Sequence, residues 1–70
     1  MATVKHAIRE HDFVGLLDAV GKWPAGTTGT VVSERGEERL VEIADERGVA
    51  LDYVSVAASR LRPRVRARDS

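Results

Sequence analysis

Five arginines recur at every second position near the end of the sequence, and this spacing points to the binding of anions. They are Arg60, Arg62, Arg64, Arg66 and Arg68. In an extended segment, this period places all five guanidinium groups on one side of the chain. Such a row can follow the phosphates of a nucleic acid, with an affinity that falls steeply as salt is raised. The alternative is a solubilising tail, or a tail that lies against the acidic residues 34–46 of its own or another copy.

Acidic residues concentrate in the middle of the sequence, although eleven Lys and Arg residues balance eleven Asp and Glu residues overall. Residues 34–46 hold six acids and only two arginines. The acids are Glu34, Glu37, Glu38, Glu42, Asp45 and Glu46. Zero net charge gives the whole chain no general attraction to nucleic acid. We therefore expect this acidic segment either to keep a hairpin soluble or to face a basic protein partner.

Trp23 is the sharpest single candidate for a binding residue, because it precedes Pro24 in a long loop. A tryptophan in such a loop can be a hot spot for a protein partner. The alternative is that its ring covers an open end of the core while its N–H reaches a carbonyl. The residues that we predict to bind a partner are Trp23, Pro24, Glu37, Glu38, Arg62, Arg64 and Arg66.

The other polar residues do not indicate catalysis or metal binding. The two histidines, His6 and His11, lie five positions apart, and the chain has no cysteine to complete a zinc site. The serines are distant in sequence from both histidines and lack a nucleophile-elbow motif. Carboxylates such as Asp12 and Asp52 would need a pocket that shifts their pKa, and a small domain offers little volume for one. We predict a protein that is not an enzyme and has no catalytic, metal-binding or cofactor-binding residue.

Length and composition predict one small domain in a reducing compartment. A chain of 70 residues buries about 60% of the surface that it exposes when unfolded, which leaves little room for a deep cleft. The absence of cysteine excludes disulfides and suits the cytoplasm. No stretch resembles a signal peptide or approaches the ~18 apolar residues of a membrane span. We expect a cytoplasmic protein that does not enter a membrane.

Alternating apolar residues and turn residues predict five short strands that must position these candidates. The first half of residues 12–20 is predicted as a strand, although its apolar spacing also fits a helix over residues 10–20. Gly15 disfavours that helix by about 1 kcal/mol relative to alanine. The other elements are a loop over 18–29, strands at 28–34, 38–44, 49–56 and 61–63, and a single 3₁₀ turn over 57–60.

Five strands suffice to enclose a small core, and closing the sheet into a barrel removes its aggregation-prone edges. We predict a barrel over residues 12–63, preceded by a lead-in over 1–11 and followed by a flexible, Arg-rich tail over 64–70. Gly26 and Gly29 permit positive φ angles in the long loop. The predicted core consists of Val14, Leu16, Val31, Val41, Ile43, Leu51, Val54 and Leu61.

Several short motifs in this order resemble those of SH3-like, KOW-like barrels. The matching segments are Asp12-Phe13-Val14, Pro24-Ala25-Gly26-Thr27, Gly29-Thr30-Val31-Val32, Val41-Glu42-Ile43, residues 45–48 and Leu61-Arg62. More closely, residues 11–63 are similar to a family of very short bacterial proteins of unknown function with that barrel. The resemblance implies an all-β, five-stranded SH3-like barrel with a long first loop and a 3₁₀ turn before the last strand. The Arg-rich extension after Pro63 departs from the family pattern.

The resemblance also implies a class of function, namely a small accessory or interaction protein, and it carries no catalytic or ligand residues. Some such proteins look like the companions of toxins, which fits an antitoxin or immunity role. We therefore expect a non-enzymatic protein-interaction module. The alternatives are a KOW-like nucleic-acid-binding protein that uses the arginine row, and a minor subunit of an enzyme complex.

Overall fold

The computed structural model of the chain describes residues 8–65, and the fold of this part is all-β. The five strands are β1 (Phe13–Leu16), β2 (Thr28–Arg35), β3 (Glu38–Ala44), β4 (Ala50–Ala57) and β5 (Leu61–Pro63). A single 3₁₀ turn, Ala58–Arg60, precedes β5. The predicted strands and the predicted 3₁₀ turn are confirmed, and the helical alternative over residues 10–20 is wrong because residues 13–16 form β1.

All five strands are antiparallel, in the order β4-β3-β2-β1-β5. β4 and β5 are therefore the two edges of the sheet, yet only Ala58–Arg60 separates them in the chain. A 3₁₀ turn rises by about 2 Å per residue, so the sheet must curl until its edges approach each other. No hydrogen-bonded ladder joins β4 to β5 in the described part, so the sheet is open and the predicted barrel is not confirmed.

The curled sheet encloses a core of eight buried apolar side chains. They are Ile8, Val14, Leu16, Val31, Val41, Ile43, Val56 and Leu61. Val54 is partly buried against this core, as are Val20, Trp23 and Ala58. The predicted core position of Leu51 is wrong, because this side chain is 53% exposed. The β3–β4 register shifts beside it, since Ile43 pairs with Asp52 and Ala44 pairs with Ala50, which leaves Leu51 without a partner on β3.

Gly29 is required by close packing and not by its backbone angle. Gly26 uses the positive φ that glycine permits, at +91°, whereas Gly29 lies outside the positive-φ region. A Cβ at position 29 would lie 2.6 Å from the Glu42 carbonyl oxygen and 2.6 Å from Cγ1 of Val41. β2 therefore approaches β3 at a point where only glycine fits.

Arg39 fastens the segment before β1 to the inner side of the sheet. Its side chain is buried, and its Nε donates to the Ile8 carbonyl at 2.7 Å. Its Nη1 donates to the carbonyls of Gly36 at 2.7 Å and Glu38 at 2.9 Å. These bonds compensate for removing a charge from water, which would otherwise be costly. Ile8 thus joins the core, although the predicted lead-in was not expected to contribute to it.

We predict that Gly29→Ala lowers the free energy of unfolding by about 1–3 kcal/mol, because the added methyl group meets backbone as well as a packed side chain. Gly15→Ala is the matched control on the neighbouring strand. Its new Cβ would lie 3.3 Å from the flexible Arg64 side chain, so the change should stay within about 0.5 kcal/mol. Urea denaturation followed by circular dichroism measures both. Equal stabilities for the two variants would contradict the close approach at Gly29.

Candidate functional site

Trp23 lies at the end of a small hairpin in the loop between β1 and β2. Val20 and Trp23 exchange backbone hydrogen bonds of 2.8 and 2.9 Å across a two-residue turn. The Trp23 ring is partly buried against the core, and its Nε1 donates to Oδ2 of Asp52 on β4 at 2.7 Å. The N–H therefore reaches a carboxylate and not the expected carbonyl. Trp23 ties the long loop to β4.

Asp52 is held by this contact in its charged form. The Trp23 N–H lowers the pKa of the Asp52 carboxyl below its ordinary value of 3.8, because a donor favours the charged acceptor. The Tyr53 backbone N–H, which donates to Oδ1 at 2.8 Å, and the Lys22 ammonium lower the pKa further. The Lys22 Nζ lies 5.3 Å from the centre of the Trp23 ring. In this cluster, the polar groups of Lys22, Trp23 and Asp52 interact with one another and join the loop to the sheet.

The outer face of the sheet, which points away from the core, presents an aromatic and acidic row. The register places Phe13 beside Thr30, Thr30 beside Glu42, and Glu42 beside Tyr53, on four consecutive strands. The Tyr53 hydroxyl donates to Oε2 of Glu42 at 3.2 Å. The negative charge of Glu42 raises the pKa of Tyr53 above its ordinary value of 10.0, and the hydrogen bond adds to this effect.

Large apolar side chains are exposed beside this row. Leu51 and Tyr53 on β4 are each 53% exposed, and Leu40 on β3 is 37% exposed. Leu40 lies opposite Ser55, whose hydroxyl donates to Oε1 of Glu38 at 2.9 Å. Exposed apolar residues that cluster between polar groups mark interaction surfaces more often than scattered ones do. We call the outer-face residues Glu38, Leu40, Glu42, Leu51, Tyr53 and Ser55 the β3–β4 surface.

Two shallow grooves flank the β3–β4 surface. The larger, about 500 Å³, runs between the middle of the sheet and the β3–β4 turn. Its lining includes Phe13 and three acids, Glu42, Asp45 and Glu46. The smaller, about 310 Å³, lies at the other end of β3 and includes Arg35, Glu38 and Leu40. Together the grooves and the exposed side chains form an apolar surface with a negative bias.

The predicted partner-binding residues do not come together in one place. Trp23 turns toward the core, and Pro24 is exposed beside it. Glu37 and Glu38 are exposed at the β2–β3 hairpin, and only Glu38 belongs to the β3–β4 surface. Leu40, Leu51 and Tyr53 were not among the predicted residues. The spacing of Val49, Leu51 and Tyr53 in the sequence did indicate a shared face, but not that this face is exposed.

The arginine row is divided in the structure. Arg60 lies in the 3₁₀ turn, where its Nη2 is 2.9 Å from Oδ1 of Asp18. Arg62 lies opposite Gly15, and Arg64 stacks its side chain over the same glycine, so these two share the outer side of β1 and β5. Both are exposed. Arg66 and Arg68 lie outside the described residues.

Metal binding, membrane spanning and similarity to known proteins give no further indication of function. Within residues 8–65, no three His, Asp or Glu side chains are grouped so that they could hold a metal ion. Helices that could span a membrane are likewise absent from that part of the chain. The sequence matches no known family model, and no match was found among curated proteins or among solved structures. The interpretation of the site therefore rests on its own geometry.

We predict that Trp23→Phe weakens the pH dependence of stability in acid. Asp52 has a lowered pKa in the folded state, so its contribution is present above its ordinary pKa of 3.8 and is lost as the pH falls through the lowered value. Phenylalanine retains the ring but removes the N–H donor. The free energy of unfolding of the unaltered chain should thus fall more between about pH 5 and about pH 2 than that of the variant.

Denaturant titrations at each pH, read by circular dichroism, measure this difference. In an Asp52→Asn background, Trp23→Phe should leave the pH dependence unchanged, because the titrating group has been removed. A Trp23→Phe chain whose stability falls in acid as steeply as that of the unaltered chain would show that the indole does not bond to Asp52.

Proposed function

We propose that this protein is a non-enzymatic protein-interaction module that binds a partner through the β3–β4 surface. The observation that carries the proposal is the exposure of Leu40, Leu51 and Tyr53 on one side of two adjacent strands. The inner side of the same strands is occupied by the core, and Trp23 is engaged by Asp52. The β3–β4 surface is therefore an apolar area that remains available to a partner.

The charges around the surface favour a partner with basic residues. Glu38 and Glu42 lie on the surface itself, and Asp45 and Glu46 border its larger groove. Phe13 and Tyr53 stand on either side of Glu42 in the cross-strand row. The Tyr53 ring beside this carboxylate suits a Lys or Arg side chain, whose stem packs on the ring while its charge meets the acid. We therefore propose that the partner segment combines basic and apolar side chains.

The fold that we propose for this module is an SH3-like barrel. The strand order, the long loop after β1 and the 3₁₀ turn between β4 and β5 support it, since this turn brings the two edges of the sheet together. The resemblance to very short bacterial proteins with that barrel supports a role as a small accessory protein of the antitoxin or immunity type. The absence of cysteine supports a cytoplasmic location.

Selection of random peptides on the immobilised chain tests the proposal. We expect the selected peptides to combine Lys or Arg with apolar residues. Leu40→Ser should raise their dissociation constant about tenfold, because a central apolar contact is typically worth more than 1 kcal/mol. Leu17→Ser is the control, since Leu17 is a leucine at least as accessible, 51% exposed against 37% for Leu40, and it follows β1 outside this surface. Calorimetry of the purified variants measures the dissociation constants.

Two outcomes would contradict the proposal. In the first, Leu17→Ser weakens binding as much as Leu40→Ser, which would remove the β3–β4 surface from the interaction. In the second, no peptide is selected while the chain binds oligonucleotides with a steep salt dependence that Arg62→Gln and Arg64→Gln reduce. That result would favour the KOW-like alternative, which is supported by two exposed arginines with no acidic partner within the described residues.

A further inference from the structure

The two edges of the open sheet are protected to very different degrees. β5 is three residues long and contains Arg62 and Pro63. A short strand, a charge and a proline each discourage the addition of another strand. β4 is eight residues long, and residues 54–57 contain neither a charge nor a proline. Among the described residues, no strand pairs with the outer edge of β4.

The register of β3 and β4 identifies the backbone groups at this free edge. The Ala58 N–H donates to the Glu37 carbonyl at 2.8 Å, which makes Ala57 and Glu38 a non-hydrogen-bonded pair of the ladder. Hydrogen-bonded and non-hydrogen-bonded pairs alternate along an antiparallel ladder. The residues whose N–H and C=O groups point away from β3 are therefore Tyr53, Ser55 and Ala57.

One of these three donors is already used within the chain. The Tyr53 N–H donates to Oδ1 of Asp52 at 2.8 Å. The Asp52 side chain also shields the first half of β4, since a charge that points inward on an edge strand opposes pairing. The N–H groups of Ser55 and Ala57 remain, beside the outward carbonyls of the same strand. The free edge is thus confined to the neutral half of β4.

We propose that two copies of the chain associate through this half of β4, antiparallel about a two-fold axis at Ser55. In this register, the Ser55 N–H donates to the carbonyl of the partner's Ser55. The Ala57 N–H donates to the carbonyl of the partner's Tyr53, and the symmetry repeats both bonds. Both free donors of each copy are used, and the Tyr53 N–H stays on Asp52. The edge is therefore complementary to itself, as a two-fold interface requires.

The side chains are compatible with the same register. Tyr53 lies opposite the partner's Ala57 on the outer face, and Val54 lies opposite the partner's Val56 on the inner face. These pairs are neutral, so no like charges meet. The two Asp52 carboxylates are about 20 Å apart along the seam, well beyond the Debye length of about 8 Å. Edge pairing buries a small area, so we expect a weak dimer with a dissociation constant of about 100 µM.

Sedimentation velocity of the full chain from about 10 µM to about 1 mM tests the dimer. We expect the sedimentation coefficient to rise from the monomer to the dimer value over this range. Ala57→Pro should raise the dissociation constant about tenfold or more, since each copy loses one of its two donors. Ala57 already has a φ of −61°, and its N–H does not bond to β3, so proline fits the folded chain. Ala57→Ser, which retains the N–H, should leave association unchanged.

Ser55→Lys provides an independent variant, because it places two like charges opposite each other at the axis. Ser55→Lys should weaken the dimer as Ala57→Pro does, whereas Ser55→Thr should not. If Ala57→Pro fails to fold, the comparison of Ser55→Lys with Ser55→Thr tests the proposal. A chain that is monomeric throughout the range, or a dimer that survives the folded variants, would overturn the proposal. Because no other protein is present, such a result would leave the proposed interaction function unaffected.

Discussion

The chain must bend a five-stranded sheet until its two edges approach each other, and the other features of the structure depend on this constraint. β4 and β5 stand at opposite ends of the strand order but are joined by Ala58–Arg60 alone. A curl this tight requires β2 and β3 to come close at Gly29, where no side chain fits. Its core consists of aliphatic side chains, and half of them are valines, namely Val14, Val31, Val41 and Val56, which are almost fully buried.

The curl assigns different roles to the two faces of the sheet. The inner face is covered by the core and by two polar contacts. These contacts hold the long loop and the segment before β1 against the sheet. The Trp23 N–H holds the long loop on Asp52, and the Arg39 guanidinium holds the Ile8 carbonyl. Trp23, Asp52 and Arg39 are thereby engaged in contacts that stabilise the fold. Recognition is left to the outer face of β3 and β4 and to the unprotected edge of β4.

Much of the fold could be predicted from the sequence because it follows from local signals. The strands alternate apolar and polar residues, and glycines mark the turns between them. The errors concern long-range contacts. Gly29 could be recognised as special, but only its distance to β3 shows that the reason is packing. Alternation along β4 places Leu51 on the face of Tyr53, but only the packing of Val54 and Val56 against the core shows that this face is the exposed one.

The site was less predictable than the fold for the same reason. Trp23 and Asp52 are 29 positions apart, so their hydrogen bond could not be expected from either residue alone. Arg39 lies in a run of charged residues whose pattern indicates exposure, and only the Ile8 carbonyl opposite it explains its burial. The β3–β4 surface combines side chains from two strands. Alternation groups Leu40 with Glu42 and Leu51 with Tyr53, but it does not show that the two groups lie side by side on one surface.

The most direct measurement of this division between faces is proton relaxation by an inert, soluble gadolinium chelate, recorded by NMR on the dilute chain. The side chains of Leu40, Leu51 and Tyr53 should relax rapidly, because they face solvent. The Trp23 indole N–H and the Val56 methyl groups should relax slowly. Rapid relaxation of the Trp23 indole together with shielding of Leu40 and Tyr53 would contradict the assignment. It would move the recognition surface from the outer face of the sheet to the long loop.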